Sequence, residues 1–473
     1  MYKAKAILMV LIIGLAGSFS AAAEIIYVDA AGPNSPGTGR IEDPFRIIAD
    51  AIDSADSGDI VEIRPGVYTG YGNYNLDTGG RSITIRSIDA NDANVVATTI
   101  VDANDAGRGF SFTSGEDANC VISGLTIRNG ITTISYGGNI YCFESSPTIR
   151  NCIIENGYSA NVGGGVFCAF SHPDIIACTI AHNSADFYGG AIGCYYSKPQ
   201  IMGCEITANT AGFEGGALDG VFSGPTFTNC VITDNRAVNS AGLNCYSSDE
   251  TIGETSLINC TVAGNLASGF GGGVGCQDGA GCNITNSIFW ENSANQGRQV
   301  YISQQSSCSI HYCDIQGADA AVYDPCDNLL WAAGNLDTDP CFATFDSQGD
   351  ANTWDFHLQS TYGRFDANSQ SWVRDVNTSV CIDAGDPNAD WSGEPWPNGR
   401  RTNMGAFAGA FQASMNGNVA DFDLSGEVNF LDFAGFADEW SAEEPCIEDL
   451  SGNGVVDFAD LKIFSANWLW QRQ

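Results

Sequence analysis

The sequence predicts a mainly β protein: a right-handed parallel β-helix solenoid with ~26-residue coils, followed by a small α-helical domain built on two calcium-type loops. Three observations carry this prediction. From Gly137 to Gln296 the chain repeats itself every 26 residues. The apolar positions within a unit alternate and are β-branched or aromatic, as at Ile192 and Cys194. Near the C-terminus two aspartate-rich stretches align 28 residues apart.

The repeat comes first. Units begin at Gly137, Gly163, Gly189, Gly215, Ala241 and Gly271, 26 residues apart with one 30-residue exception. One such unit cannot bury its own apolar face, so neighbours must stack. Period-two alternation is strand chemistry. Leu218 and Leu243 are the only leucines between Gly137 and Asn244, which excludes a leucine-rich horseshoe, and paired glycines exclude helical repeats. Parallel strands favour right-handed crossovers.

In a stacked solenoid each recurring residue lies over its counterpart. Asn183, Asn209, Asn235, Asn265 and Asn292 form one such column at a turn, where side-chain amides can bond along the ladder. Cys152, Cys178, Cys204, Cys230 and Cys260 form a second, and Cys142, Cys168, Cys194, Cys245 and Cys276 a third. These read as small buried apolar residues, with cross-coil disulfides as the other option in an oxidising compartment. Phe170, Tyr196 and Phe222 share one slot, as a sugar-stacking strip would, but keep the parity of Val166, Ile192 and Leu218, so they are expected to stack inside the coil.

The rod ends need covers, because an open solenoid exposes edge strands. Phe45 to Ala55 carries helical apolar spacing and suits a cap over the first coil, while the Gly-, Asp- and Trp-rich stretch after Gly317 reads as a C-terminal cap. The expected division is a signal peptide at 1–23, an N-terminal cap with early coils at 24–118, repeats at 119–317, an irregular cap at 318–412 and a calcium module at 416–473.

Export is expected from Lys3 and Lys5, the apolar run Ala6 to Ala16 and the small residues Ala21-Ala22-Ala23. That run is too short to span a bilayer. The destination is extracellular or cell-surface, with the periplasm as an alternative. A formal charge of −37 on 473 residues argues against nucleic acid and anionic lipid as partners.

With these residues in view, the N-terminal GDIVEIRPGVYTG resembles the opening of bacterial exported β-helix proteins of the pectate-lyase-like fold. The units pairing GGAI with ITAN resemble repeats of polymorphic outer-membrane proteins. SVCIDAGDP with GRRTNMGAF resembles the closing segment of exported β-helix proteins. This fold hosts lyases, hydrolases, adhesins and inert spikes, so the resemblance implies fold more than activity.

The C-terminal stretches read as twelve-residue calcium loops. The first offers Asp421, Asp423, Ser425, the Glu427 carbonyl, Asn429 and Asp432; the second offers Asp449, Ser451, Asn453, the Val455 carbonyl, Asp457 and Asp460. Gly426 and Gly454 hold the sixth position, where the loop turns sharply. Hard oxygen ligands at alternate positions suit Ca²⁺, two ions in all. One exiting helix per loop and Asp at position twelve resemble a type I dockerin. Where dockerins carry a Ser/Thr pair that contacts a cohesin, this chain has Phe430-Leu431 and Phe458-Ala459. The implied partner is therefore a divergent cohesin-like protein or the chain's own β-helix.

Two functions follow. One is a carbohydrate-binding or adhesin-like rod; the alternative is a polysaccharide lyase or O-glycosyl hydrolase. A uronate lyase needs a basic residue, and the repeats offer Arg128, Arg150, Lys198, Arg236 and Arg298 without evident alignment. A glycosidase needs paired carboxylates, and Glu205, Asp219 and Asp234 are available, although isolated surface acids are expected on so acidic a chain. No catalytic residue is singled out, and the regularity of the units favours binding.

Overall fold

The computed structural model describes residues 23–33, 36–247, 253–347, 349–423, 425, 427–441, 450 and 455–469. The expected signal peptide lies almost wholly outside them, as do Gly426, Asp449, Ser451, Asn453 and Gly454.

The chain winds into a parallel β-helix of about ten turns. One coil shows the plan: strands Gln200–Met202, Glu205–Thr207, Thr210–Ala211 and Leu218–Val221, each paired in parallel with its equivalents above and below. Among the described residues these stack into sheets of twelve, ten, six and nine strands. Alternation puts one side chain in and the next out. Ile175, Ile201 and Phe227 therefore stack in the twelve-stranded sheet, while Ile180, Ile206 and Ile232 stack in the ten-stranded one, all wholly buried.

The asparagine column is a continuous ladder. Asn183 Nδ2 donates to Asn209 Oδ1 at 3.0 Å, Asn209 to Asn235 and Asn235 to Asn265 at the same distance, and Asn265 to Asn292 at 2.9 Å. Each side chain also bonds backbone, as where Asn209 Nδ2 donates to the Ile180 carbonyl. These buried amides are satisfied, so the column holds the turn rather than a ligand. Both cysteine columns lie inside, and the seventeen described cysteines are free thiols.

Three expectations need correction. The fifth unit starts one residue early: Leu218 pairs with Leu243, so Ser240, not Ala241, takes the left-handed slot of Gly215 and Gly271, with φ of 51° against 69° and 68°. The rod also continues past Gly317, since Val322–Tyr323 and Leu329–Trp331 add further strands. The segment after them packs along the rod's flank. Phe342, Phe356, Leu358, Cys381 and Met404 bury the outward residues Ala263 and Ile288 of the ten-stranded sheet, and the Ala406 and Ala408 carbonyls accept from Asn229 Nδ2. The third correction concerns the aromatic column and belongs to the site.

At the other end the helix Ile48–Ser54 sets Ile48, Ala51 and Ile52 into the core of the first coils. Near the C-terminus two helices, Phe430–Asp438 and Phe458–Ala466, enclose Phe422, Val428, Phe436, Val456 and Phe464. Among the described residues no helix is long and apolar enough to cross a membrane.

Candidate functional site

Phe170, Tyr196 and Phe222 do not stack inside. Each follows the last residue of a nine-stranded-sheet strand and takes a left-handed conformation, with φ of 50°, 48° and 49°. That turn breaks the alternation, so the parity of Val166 no longer applies and the rings swing outward; Phe170 is 48% exposed. Phe170 and Tyr196 stack at 5.3 Å, and Tyr196 and Phe222 at 4.9 Å. Tyr195, whose strand position faces out, meets Phe170 and Phe222 edge-on. Phe143 and Tyr246 extend the strip at its two ends.

Phe143, Phe170, Tyr195 and Tyr246 of this strip form one wall of a groove of about 700 Å³ along the outer face of the nine-stranded sheet. The opposite wall comes from the turn before each strand and carries Tyr136, Val162, Tyr188, Phe213 and Glu214. Its floor follows a single outward column, Phe167, Gly193, Asp219, Asn244, in which glycine leaves room for Phe167 to lie across.

Two acids meet in the groove. Asp219 Oδ1 accepts from Asn244 Nδ2 at 2.8 Å, and the same nitrogen lies 3.4 Å from Glu214 Oε2. Glu214 Oε1 also accepts from Gln277 Nε2 at 3.2 Å and from Asn239 Nδ2 at 3.5 Å. Burial raises the Asp219 pKa to about 7, offset in part by the Asn244 bond and reinforced by the nearby Glu214 charge. Glu214 is raised as well, chiefly by burial, while its bonds from Gln277 and Asn239 favour the ionised form. No basic residue lines the groove among the described residues.

The structure separates the other acid candidates from this pair. Asp234 is ion-paired with Arg236 at 2.7 Å. Glu205 sits on the ten-stranded sheet and lines a second cleft, of about 680 Å³, between that sheet and the flanking segment. There Asp355 Oδ1 lies 2.6 Å from His357 Nδ1, and Arg364 bridges Asp355 and Asp375 at 3.2 and 3.0 Å. Of the basic candidates Arg128 pairs with Asp102 at 2.8 Å, and none of Arg150, Lys198, Arg236 and Arg298 reaches the aromatic groove. Glu214 was not among the expected carboxylates; its one sequence signal is that it shares a turn position with Tyr188 and Asn239.

In the C-terminal module the first loop brings carboxylate oxygens of Asp421, Asp423 and Asp432 within 4.8 Å of one another. Ser425 N donates to Asp421 Oδ1 and Asp423 Oδ1, and Ser425 Oγ donates to the Glu427 carbonyl. Asn429 caps the helix, its side chain accepting from Leu431 N at 2.8 Å. In the second loop Asp457 does the same to Ala459 N, and Asp460 Oδ2 accepts from Asp457 N as Asp432 Oδ2 accepts from Asn429 N. Val455 adjoins Val456, which is buried like its counterpart Val428.

A crystal structure of the pectate lyase Pel9A is similar to this chain, with a TM-score of 0.53 at 14% identity, covering 84% of this chain and 97% of that one. The likeness defines the class: a right-handed parallel β-helix of the pectate-lyase-like fold. No family model and no curated protein matches the sequence.

Proposed function

We propose that this chain is an exported β-helix protein with a calcium-binding C-terminal module, and that its rod binds a neutral polysaccharide along the aromatic groove. The observation that carries this reading is the unbroken outward strip from Phe143 through Phe170, Tyr195 and Phe222 to Tyr246, which offers ring faces and edges over several coils. Flat apolar rings suit the C–H faces of sugars, while Asn244, Gln277 and the two acids supply hydroxyl partners. The Glu214 carboxylate makes the floor repel uronates, and the likeness to a pectate lyase does not extend to a basic residue in this groove.

Affinity electrophoresis on gels cast with xylan, mannan, mixed-linkage glucan or polygalacturonate tests the reading. Retardation by a neutral glycan, lost in Phe170→Ala/Tyr195→Ala, is expected. Retardation by polygalacturonate alone would reject it.

Two Ca²⁺ ions would organise the C-terminal module through the loop residues named above, the close approach of three carboxylates in the first loop fitting a cation. Chelation is expected to melt residues 416–473 and leave the rod folded; circular dichroism losing the helical signal alone would agree, and a rod that melts with EDTA would not. Phe430 and Phe458, 76% and 77% exposed at equivalent positions, suit an apolar face on a cohesin-like protein or on the rod itself.

A further inference from the structure

We propose that Glu214 and Asp219 make the aromatic groove a retaining glycoside hydrolase site, with Glu214 as nucleophile and Asp219 as proton donor. The inference rests on the reading of the groove as a neutral-glycan site and adds a reaction to it.

Geometry comes first. Both acids reach Asn244 Nδ2, at 2.8 and 3.4 Å, so Asp219 Oδ1 and Glu214 Oε2 lie no more than about 6 Å apart. Retaining pairs stand ~5–5.5 Å apart, whereas an inverting pair needs ~6.5–9.5 Å to admit a water between acid and sugar. The pair also sits where a chain would be held, between the aromatic strip and the wall bearing Tyr188 and Phe213.

The surroundings then divide the roles. Glu214 is reached by three amide donors, from Asn239, Asn244 and Gln277, which stabilise a carboxylate. Among the described residues Asp219 accepts only one such bond, from Asn244, and is 2% exposed, and that burial favours the neutral acid. Two carboxyl groups held in unequal environments are what acid and nucleophile require.

The reaction balances with water as the only co-reactant. Asp219 passes its proton to the glycosidic oxygen as the bond from that oxygen to the anomeric carbon breaks. Glu214 attacks the same carbon and forms a glycosyl ester. Water then attacks that carbon, giving its proton to Asp219; the ester bond breaks, Glu214 is restored and the new reducing end keeps its anomeric configuration.

The experiment uses the full chain, incubated with the neutral glycans that retard it. Reducing ends report cleavage and ¹H NMR of the first product reports the anomer. Wild type should release reducing ends with retention, and Glu214→Gln and Asp219→Asn should each lose at least 100-fold in rate. Binding without cleavage by wild type would overturn the hydrolase and leave the binding site standing. An inverted product, or undiminished activity in Glu214→Gln, would overturn the assigned roles. Wild type that binds no neutral glycan would overturn the underlying reading as well.

Discussion

The outer faces of two sheets built from the same repeat have opposite fates. On the ten-stranded sheet the outward residues Ala263, Ile288 and Trp290 lie beneath the segment from Phe342 to Ala408 and join its apolar cluster. On the nine-stranded sheet the outward residues Phe167, Tyr195, Asp219 and Asn244 line an open groove. Inward positions are under one constraint in every coil, namely to fill the core. Outward positions are free until something covers them, and that is where coils of one repeat diverge.

The acidic floor should make the rod's stability depend on pH. Asp219 has a folded pKa of about 7 against 3.8 for an ordinary aspartate, so its protonated form is favoured by folding. The associated stability is complete below the lower value and is lost as pH rises through about 7, by up to about 4 kcal/mol at 1.36 kcal/mol per unit. Glu214 shifts in the same direction, and the nearby ionisable groups Asp278, Tyr188 and Tyr246 add no positive charge to offset it. Urea unfolding between pH 4 and 8 should show that slope, flattened in Asp219→Asn. A rod equally stable across the range would mean that the two acids are not buried together.

On the covered face, Ile288→Ala should cost about 3 kcal/mol, because Ile288 is wholly buried between rod and flank. Tyr195→Ala, at 38% exposed in the open groove, should cost less than about 1 kcal/mol. Equal losses would erase the distinction between the faces. The same Tyr195→Ala should still weaken glycan binding about tenfold, or about 1.4 kcal/mol, read by titration calorimetry.

Much of the rod was legible because ladders repeat what they need: asparagines at a 26-residue interval give a hydrogen-bonded column, and β-branched alternation gives the strands. The aromatic column misled because parity counts hold only while the backbone stays extended, and the left-handed residue at 170, 196 and 222 ends that. The groove acids were half visible. Asp219 replaces an aromatic or glycine in an outward column, but its neighbour Glu214 belongs to a turn five residues earlier, and only coiling brings them to one amide. The coil of 25 rather than 26 residues between Leu218 and Leu243 was hidden by the longer step after it.

The claim that the open face is the working face has a direct test in hydroxyl-radical footprinting of the full chain with and without the neutral glycan that retards it. Oxidation at Phe170, Tyr195 and Phe222 should fall on adding glycan, while Tyr71, 91% exposed near the first coils, and Trp354, in the flank-side cleft, should react as before. Protection of Trp354 with no change at Phe170 and Tyr195 would place the ligand on the other face and contradict the account.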